Sequence, residues 1–391
     1  MTHLRFGTFI PPIHPVGENP TLCIDRDMQL VQHLDALGYD EAWIGEHHSA
    51  GTEVIASPEL VIAVLGDRTK RIRLGTGVSS LPYHHPLILA DRMMQLHHMT
   101  RGRAMMGAGP GALVSDAKAM GIVAERQRDM MDESLDVIMR LFRGETVTMK
   151  TDWFELKEAR LQLRPYAGEP LEVATASVVS PSGARSAGRF GTGLMAIGGT
   201  SPDGIAAASR NWDIACEMAA KHGNTMARRD WRLVGLVHIA ETREQAFADV
   251  RYGIDEWIQY FEDVATHPMV PPEGKGDPAT HLVNIGRAVI GSPADAIEQI
   301  EKLQNKTGGF GCYLMADHNW ARFEDKLKSY ELIARHVMPH FQGQNLQRRQ
   351  SYDWVRDSQD DFKASARRAQ QLIIDRQKGE EAAPKKSDAA E

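Results

Sequence analysis

Apolar runs of strand length alternate with amphipathic helical stretches through most of this chain. The predicted strands occupy residues 4–10, 41–46, 72–80, 103–108, 171–175, 193–197, 232–240 and 310–316. A helical stretch follows each strand, as in 22–37 after the first and 126–142 after the fourth. Buried parallel strands have this continuous apolar character and need a crossover segment between them. Eight such repeats predict an α/β fold, a (β/α)8 TIM barrel with insertions, in preference to an open sheet.

Changes in composition predict the domain boundaries. Residues 1–340 are expected to form the barrel, with insertions at 145–170 and 262–290. The second insertion carries a Pro/Gly-rich run, which predicts either a lid over the barrel mouth or an ordinary surface loop. The polar stretch 341–378 predicts a helical C-terminal extension, which either embraces a partner subunit or is a solvated appendage. Residues 379–391 are predicted to be a disordered tail.

The composition is that of an ordinary globular protein and excludes several classes of function. Of the 391 residues, 42% are hydrophobic and 25% are charged, and the formal net charge is −7. A negative net charge gives no electrostatic basis for binding nucleic acid. The three cysteines are scattered, which indicates neither a disulfide framework nor a zinc cluster. Because no secretion signal or membrane-length apolar run is visible, we expect a cytoplasmic protein with no membrane partner.

The second predicted strand ends in Glu46, His47 and His48. In parallel α/β folds, the carboxyl ends of the strands carry the chemistry. Histidine exchanges protons near neutral pH, and a neighbouring carboxylate can fix its tautomer. The motif therefore predicts a base or a hydrogen-bond donor beside a bound reactant. A pair of structural histidines that cap the strand end is the alternative interpretation.

Two further histidine pairs, His84-His85 and His97-His98, raise metal binding as an alternative. Barrel metallohydrolases place ligands on alternate residues of one strand, because alternate residues point the same way. Adjacent histidines diverge in a strand, and the first predicted strand offers no ligand. We expect His97 and His98 at the C-terminal end of a helix, away from the rim. A barrel metallohydrolase is therefore the weaker hypothesis, and no metal ligand is predicted.

Glycines are concentrated in and just beyond the third and fourth predicted strands. They are Gly75, Gly77, Gly107, Gly109 and Gly111. Glycine weakens a strand, and its usual justification is the close approach of a ligand or of another backbone. A flat aromatic cofactor lying across the strand tips would need this clearance, and tight barrel packing is the alternative. The Gly-x-Gly-x-Gly run is only a weak match to a dinucleotide fingerprint, because its last spacing differs.

Hydroxyl residues and a helix start follow the fifth predicted strand. Ser180 and Ser182 flank a proline there, so two hydroxyls, free N–H groups and the positive helix end predict a phosphate site. An ordinary serine N-cap is the alternative. Arg126 and Arg128 open the fourth helix, where each is placed either to reach a phosphate or to form a surface salt bridge. Nothing resembles a Walker loop, which indicates that the phosphate belongs to a cofactor.

Taken in order, these motifs resemble the bacterial luciferase-like, two-component flavin monooxygenases. The resemblance covers roughly residues 4–340. Its motifs are Glu46-His47-His48, Leu81-Pro82-Tyr83-His84-His85-Pro86, Gly102-Arg103 with the glycines that follow, Arg128, Leu163-Arg164-Pro165, the serine turn with Arg189-Phe190-Gly191, and Gly291-Ser292-Pro293. Pro12, the Tyr-His-His run and the polar extension are similar to proteins of the limonene and cyclic-ketone monooxygenase branch.

The resemblance implies a barrel that binds reduced FMN, delivered by a separate NAD(P)H-dependent flavin reductase. Oxygen would add to flavin C4a, and the peroxyflavin would oxidise a small apolar substrate such as a terpenoid, a cyclic ketone or an aldehyde. FAD and the deazaflavin F420 are alternative cofactors. An F420-dependent oxidoreductase and a flavin-binding paralogue without turnover are alternative functions. The family also implies a homodimer or a tetramer.

The same resemblance implies roles for individual residues. His47 matches the essential histidine of the family and His48 its neighbour, so both are predicted to be catalytic. Gly77 and Val78 match the position of a non-prolyl cis peptide beneath the flavin ring. The predicted cofactor-binding residues are Glu46, Gly77, Val78, Ser79, Gly109, Arg128, Ser177, Val179, Ser180 and Ser182. Luciferase itself has a cysteine and an arginine where this chain has Gly109-Pro110, so light emission is not expected.

Overall fold

The computed structural model describes residues 3–265 and 276–382, and the chain divides into two compact units, Met1–Gln342 and Gly343–Glu391. The strands of the first unit are β1 (Arg5–Ile10), β2 (Glu41–Ile44), β3 (Arg73–Thr76), β4 (Ser79–Ser80), β5 (Ala104–Gly109), β6 (Val147–Lys150), β7 (Glu155–Ala159), β8 (Glu172–Ser177), β9 (Gly193–Ile197), β10 (Trp231–Ile239), β11 (Ala288–Gly291) and β12 (Cys312–Ala316). Its helices are α1 (Pro20–Leu37), α2 (Pro58–Arg68), α3 (Pro86–Met99), α4 (Val114–Ala119), α5 (Gln127–Phe142), α6 (Ser182–Phe190), α7 (Pro202–Lys221), α8 (Arg243–Val250), α9 (Ile254–Asp263), α10 (Pro278–Asn284), α11 (Pro293–Thr307), α12 (Phe323–Leu332) and α13 (Met338–Gln342).

Eight of the strands close into a parallel barrel. Their order around the barrel is β1, β2, β3, β5, β8, β9, β10 and β12, and β12 returns to pair with β1. All eight neighbouring pairs are parallel. These strands are the eight that the alternation of apolar runs and helical stretches predicted, and the (β/α)8 TIM barrel is confirmed.

Local sequence explains where these elements begin and end. Helix α1 starts at Pro20, after Asn19, whose side chain accepts hydrogen bonds from two backbone N–H groups of the first turn. It ends at Gly38, whose φ of 87° lies in the left-handed region that glycine enters without strain. Every residue of β2 is buried, because helices cover one face of a barrel strand and side chains fill the other.

The structure corrects several predicted boundaries. The third predicted strand, 72–80, is divided into β3 and β4 by the Gly77–Val78 peptide, which is cis as the resemblance implied. The helix predicted after the seventh strand is broken into α8 and α9 at residues 251–253. The insertion 145–170, for which no element was predicted, contains the antiparallel pair β6–β7.

The second insertion, 262–290, contains two elements that were not predicted. They are α10 and most of β11, a short strand that pairs with β10 beyond the segment where β10 pairs with β9. Both follow the Pro/Gly-rich run 267–278, apart from Pro278, with which α10 begins. Residues 266–275 of the hypothetical lid lie outside the described residues.

A buried ionic cluster occupies one end of the barrel interior. The guanidinium of Arg232 on β10 is fully buried and donates two hydrogen bonds to Glu41 on β2, with N–O distances of 2.7 and 3.0 Å, and a third to Glu172 on β8. It also lies 4.9 Å from the ring centroid of Trp43. Burial alone would raise the pKa of Glu172, but the charges of Arg232 and Arg73 outweigh it and lower the pKa to about 2. The cluster therefore ties three barrel strands together through charges that depend on one another.

The second unit is helical over the residues that the structure describes. It consists of α14 (Leu346–Asp357) and α15 (Gln359–Ala382), and neither helix has a buried residue. The predicted disordered tail begins at 379, whereas α15 continues to Ala382, so its first four residues are helical; 383–391 lie outside the described residues. No helix in the described ranges is both long and apolar enough to cross a membrane.

Candidate functional site

The loop after β2 carries the predicted catalytic motif and is held in place by two backbone contacts. The N–H group of His47 donates to the carbonyl of Ile55, with an N–O distance of 3.1 Å. Further along this loop, Glu53 forms an antiparallel bridge with Ile13, in the segment that follows β1. The loops after the first two barrel strands therefore meet at the carboxyl end of the barrel, where (β/α)8 enzymes place their active sites.

The imidazole of His47 lies between two carboxylates. Its Nδ1 is 3.0 Å from Oδ2 of Asp116, at the start of α4, and its Nε2 is 2.6 Å from Oε2 of Glu53. Asp116 also accepts hydrogen bonds from the hydroxyl of Ser49 and from the backbone N–H of His48. Burial would raise the pKa of Asp116, but the hydrogen bonds from His47 and Ser49 outweigh it and lower the pKa below its ordinary value. A carboxylate that stays ionised can hold an imidazole in one orientation.

Glu46 organises a second group of side chains at the same rim. One carboxylate oxygen lies 2.9 Å from Nε2 of His48 and 2.8 Å from Nε2 of His84, and the other accepts the backbone N–H of Ser80. Burial opposes ionisation, but the hydrogen bonds from the two histidines lower the pKa of Glu46. The hydrogen bond to Glu46 raises the pKa of His48. Glu46 therefore orients imidazoles, and its predicted contact with a cofactor remains a prediction.

The strand glycines are required by packing within the protein. A side chain at Gly75 would lie 2.4 Å from the ring of Trp43, and one at Gly107 would lie 2.2 Å from a backbone carbonyl oxygen. At Gly77 the nearest atoms belong to Trp43, and at Gly109 they belong to Val78. Tight packing, the alternative weighed in the sequence, accounts for all four positions. Val78 is partly exposed at the rim, beside the cis peptide.

The serine turn after β8 combines buried and exposed residues. Ser177 is buried, and its hydroxyl accepts a hydrogen bond of 2.8 Å from Asn211. Val179 is 66% exposed, and Ser180 next to it is exposed, with its hydroxyl 3.1 Å from that of Ser182 at the first position of α6. Pro181, the residue before α6, offers no side-chain cap, and the hydroxyl of Ser180 accepts a long hydrogen bond of 3.4 Å from the N–H of Ser182, which leaves the next N–H groups of the first turn without a side-chain cap. Free N–H groups and hydroxyls at a helix N-terminus are suited to bind an anion.

The contact between α5 and α6 indicates that Arg128 lies on the side of α5 that faces this turn. On α5 and α6, Asp132 accepts a hydrogen bond from the hydroxyl of Ser186. Arg128 lies one turn before Asp132 on the same face of α5, and Ser182 lies one turn before Ser186 on α6. Arg128 is exposed and forms no ion pair with any residue that the structure describes. We refer to Arg128, Ser180 and Ser182 as the anion-binding corner because their donors are suited to an anion, and phosphate binding there remains a prediction.

The other predicted residues have partners inside the protein. Arg126 forms ion pairs with Asp129, Glu133 and Asp152, so its surface salt-bridge interpretation is the correct one. The hydroxyl of Ser79 is buried and donates to Thr76.

Three residues of the site were missed at the sequence level, namely Glu53, Asp116 and Tyr260. The hydroxyl of Tyr260, on α9, donates to Glu53. Burial, followed by the nearby charge of Asp116, raises the pKa of Tyr260 to about 12, so its hydroxyl remains a hydrogen-bond donor. Only the Val-Ser-Asp start of α4, with an acidic residue in the first turn, was a signal of the kind that sequence reading uses. Glu53 contacts His47, and Tyr260 contacts Glu53, through long-range packing that no local sequence pattern indicates.

Comparisons with known proteins identify the family to which the chain belongs. The model of the luciferase-like monooxygenase family matches residues 4–310. The chain is 45% identical over 354 residues to limonene 1,2-monooxygenase from Rhodococcus erythropolis, with 90% of each chain covered. It is 44% identical over 377 residues to 4-hydroxyprotoasukamycin monooxygenase from Streptomyces nodosus subsp. asukaensis, covering 94% of this chain and 100% of the relative.

A solved structure extends the comparison to a flavin complex. It is the oxygenating constituent of 3,6-diketocamphane monooxygenase from Pseudomonas putida, a type II Baeyer–Villiger monooxygenase in complex with FMN. The TM-score is 0.72 at 25% identity, and the match covers 86% of this chain and 99% of that chain. The fold, the rim histidines and these relatives lead to one conclusion: the chain belongs to the luciferase-like monooxygenase family and is a flavin-dependent monooxygenase.

Proposed function

We propose that this protein is the oxygenase of a two-component system. It would use FMN reduced by a separate NAD(P)H-dependent reductase, together with O2, to oxidise a small apolar molecule. The observation that carries the proposal is the anion-binding corner, which lies on the same barrel rim as His47. A flavin mononucleotide has one phosphate and one planar ring, and these two features match the corner and the strand tips.

The residues present fit FMN on the chemistry of their donors. Ser180, Ser182 and the free N–H groups of α6 offer hydrogen bonds, and Arg128 offers an unpaired positive charge for a phosphate. Val78 follows β3 and is partly exposed, and Val179 follows β8 and is exposed; these aliphatic side chains lie at strand tips on either side of β5 and would suit a flat ring. The flavin, when bound and reduced, supplies the oxygen chemistry through a C4a-peroxyflavin.

The side chains of the protein would orient the reacting groups and transfer protons to or from them. Asp116 would hold the His47 imidazole through Nδ1, so that Nε2, which contacts Glu53 without forming a hydrogen bond, could offer a hydrogen to a reacting oxygen or take one from it. His48, raised in pKa by Glu46, would serve as a second proton-holding group beside it. The surrounding rim residues would exclude water, since water diverts reactive oxygen species to side products. Closure by the insertion at 262–290 remains part of this proposal.

The substrate class is inferred from the relatives. Limonene, a diketocamphane and a protoasukamycin derivative appear in the names of proteins that match most of this chain. A terpenoid or a cyclic ketone is therefore the substrate class we propose, with an aldehyde as a further member of the screen. Epoxidation, hydroxylation and Baeyer–Villiger insertion would be distinguished by the product.

The proposed function is tested by cofactor titration and a substrate screen. The purified protein is titrated with reduced FMN, FAD and F420, and then supplied with a flavin reductase, NADH, oxygen and limonene, camphor-type ketones or long-chain aldehydes. We expect preferred binding of reduced FMN and an oxygenated product that depends on the reductase. Binding of F420 alone, with oxygen-independent turnover of an alcohol, would establish the F420-dependent alternative instead. Flavin binding without any product would favour a non-catalytic paralogue.

Replacing Arg128 tests the phosphate end of the site. We expect Arg128→Ala to weaken the binding of FMN by about tenfold, because a charge-assisted hydrogen bond to phosphate is lost. Riboflavin has the same ring without the phosphate, and its affinity should be unchanged. The measurement is fluorescence quenching of each flavin at equilibrium. Arg126→Ala is the matched control, because its guanidinium is already paired with three carboxylates. Equal losses for FMN and riboflavin would exclude a phosphate contact.

The oligomeric state belongs to the same proposal. The family resemblance implies a homodimer or a tetramer, and α14 and α15 expose several large apolar side chains. These are Leu346, Tyr352, Trp354, Phe362, Leu372 and Ile373. Light scattering on the full chain would measure the assembly, and a monomer at micromolar concentration would contradict it.

A further inference from the structure

We propose that Glu53 and Tyr260 are positioning residues that act through His47 and connect it to helix α9. The proposal rests on the proposed function, in which His47 is the group that handles a proton in the reaction. Neither residue belongs to a motif that the sequence displays. Their placement follows from three contacts in the structure: the bridge of Glu53 to Ile13, its contact with His47, and the hydrogen bond from Tyr260.

The backbone around Glu53 is held from two sides, which fixes the carboxylate in space. The N–H of His14 donates to the carbonyl of Thr52, with a distance of 2.8 Å, and the N–H of Val54 donates to the carbonyl of Pro12. Residues 52–54 therefore form a short ribbon with the segment after β1. Alternate residues of a ribbon point to opposite faces. Glu53 thus faces His47, while its neighbours face away.

The burial of Glu53 indicates a functional role. Its side chain is 3% exposed, and no lysine or arginine among the described residues pairs with it. A buried carboxylate without a permanent cation costs several kcal/mol unless strong hydrogen bonds compensate. Tyr260 donates a hydrogen bond to one oxygen of the Glu53 carboxylate, whereas the other oxygen lies 2.6 Å from Nε2 of His47 but has no hydrogen-bond partner among the described residues. Proteins keep such costly groups chiefly where function requires them.

Tyr260 connects helix α9 to the site, but other residues of α9 hold the helix against the barrel. Ile254, Trp257 and Ile258 of α9 are buried in a separate hydrophobic cluster, and the ring of Trp257 packs edge-on against Trp320 at 5.1 Å. The helix therefore remains docked when the single hydroxyl of Tyr260 is removed. The hydrogen bond from Tyr260 would then serve to hold the Glu53 carboxylate in the rotamer that contacts Nε2 of His47.

Kinetic measurements with and without His47 distinguish a positioning role of Glu53 and Tyr260 from a general contribution to stability. With the substrate identified by the screen above, we expect Glu53→Gln to lower the turnover number about tenfold and Tyr260→Phe about threefold, with little change in KM, as for removal of an orienting partner. In a His47→Gln background, adding Glu53→Gln should change turnover by less than about twofold. Equal losses in both backgrounds would show that Glu53 acts independently of His47 and would overturn the proposal.

A second readout uses the protein without any flavin. In protein labelled with 15N at the histidine rings, the imidazole signals of His47 are assigned by their loss in His47→Gln. We expect Glu53→Gln and Tyr260→Phe to shift these signals, although Tyr260 itself does not contact His47. Tyr252→Phe and Glu256→Gln are the controls, since both residues are exposed and lie just before and on α9. Unchanged His47 signals in Tyr260→Phe would overturn the connection to α9.

Different results would contradict the proposed function and the positioning role of Glu53 and Tyr260. If His47→Gln retained full turnover, the proposed role of His47 would fail, whereas the NMR shifts would still establish the connection. If His47→Gln were inactive and Glu53→Gln fully active, the proposed function would stand and the positioning role would be wrong.

Discussion

Replacing His47 by alanine is expected to lower oxygenated product formation by about two to four orders of magnitude, the usual contribution of a positioned proton-transfer group. The reason is geometric. His47 has a carboxylate on each ring nitrogen, from Asp116 and Glu53, and its side chain still reaches the rim of the barrel. The measurement is product formed per reduced FMN oxidised, with hydrogen peroxide quantified in parallel. We expect peroxide to replace product in the variant.

Two controls keep this result interpretable. His47→Ala leaves Asp116 and Glu53 without the imidazole between them, so His47→Gln provides a second variant that keeps a hydrogen-bond donor there. His85→Ala removes an exposed histidine from the neighbouring loop and should leave turnover within about twofold of the starting protein. Both His47 variants should retain FMN affinity and thermal stability sufficient for folding. Product formation at the original level in folded His47→Ala would remove His47 from the mechanism.

The barrel could be predicted from the chain because its signal is local and repeated. Each of the eight strands is a short apolar run between helical stretches, and a parallel sheet covered by helices demands that pattern. The hairpin β6–β7 escaped prediction because only Val147, Leu156 and Ala159 of its residues are buried, so it lacks a continuous apolar run. The strand β11 was missed because it has only four residues and follows a polar, proline-rich stretch.

The site was predictable only where its residues follow strands directly. The Glu-His-His motif ends a strand, and the serine turn opens a helix, so topology alone places both at the rim. Glu53 and Tyr260 are separated by 207 positions in the chain and meet only in the folded protein. The strand glycines illustrate the opposite case. A glycine in a strand signals close approach, but only the structure shows that the neighbour at Gly75 is Trp43.

Replacing Arg232 by methionine is expected to destabilise the barrel by about 3–5 kcal/mol, because removing one partner of a buried ionic cluster leaves uncompensated charge. Glu41 is fully buried, and burial works to raise its pKa; the charges of Arg232 and Arg5 overcome that effect and hold the pKa low. Methionine has a volume similar to that of arginine, so the loss in the free energy of unfolding reports the removed charge more than a change in packing. The measurement is the free energy of unfolding from urea denaturation at neutral pH, monitored by circular dichroism.

A control variant and the pH dependence identify the cause of the destabilisation in Arg232→Met. Arg73→Met removes the partly exposed partner of the same Glu172 and should cost about 1 kcal/mol or less, since that pair is screened by solvent.

In the starting protein, Glu41 and Glu172 have lowered pKa values, so their stabilisation is present above the unfolded-state pKa and is lost on acidification. Without Arg232, burial dominates and raises these pKa values above the unfolded-state value. The stability gap between Arg232→Met and the starting protein should therefore narrow as the pH falls from neutrality toward the unfolded-state pKa of about 4.3. A gap that stays constant with pH would show that lost packing, and not buried charge, causes the destabilisation.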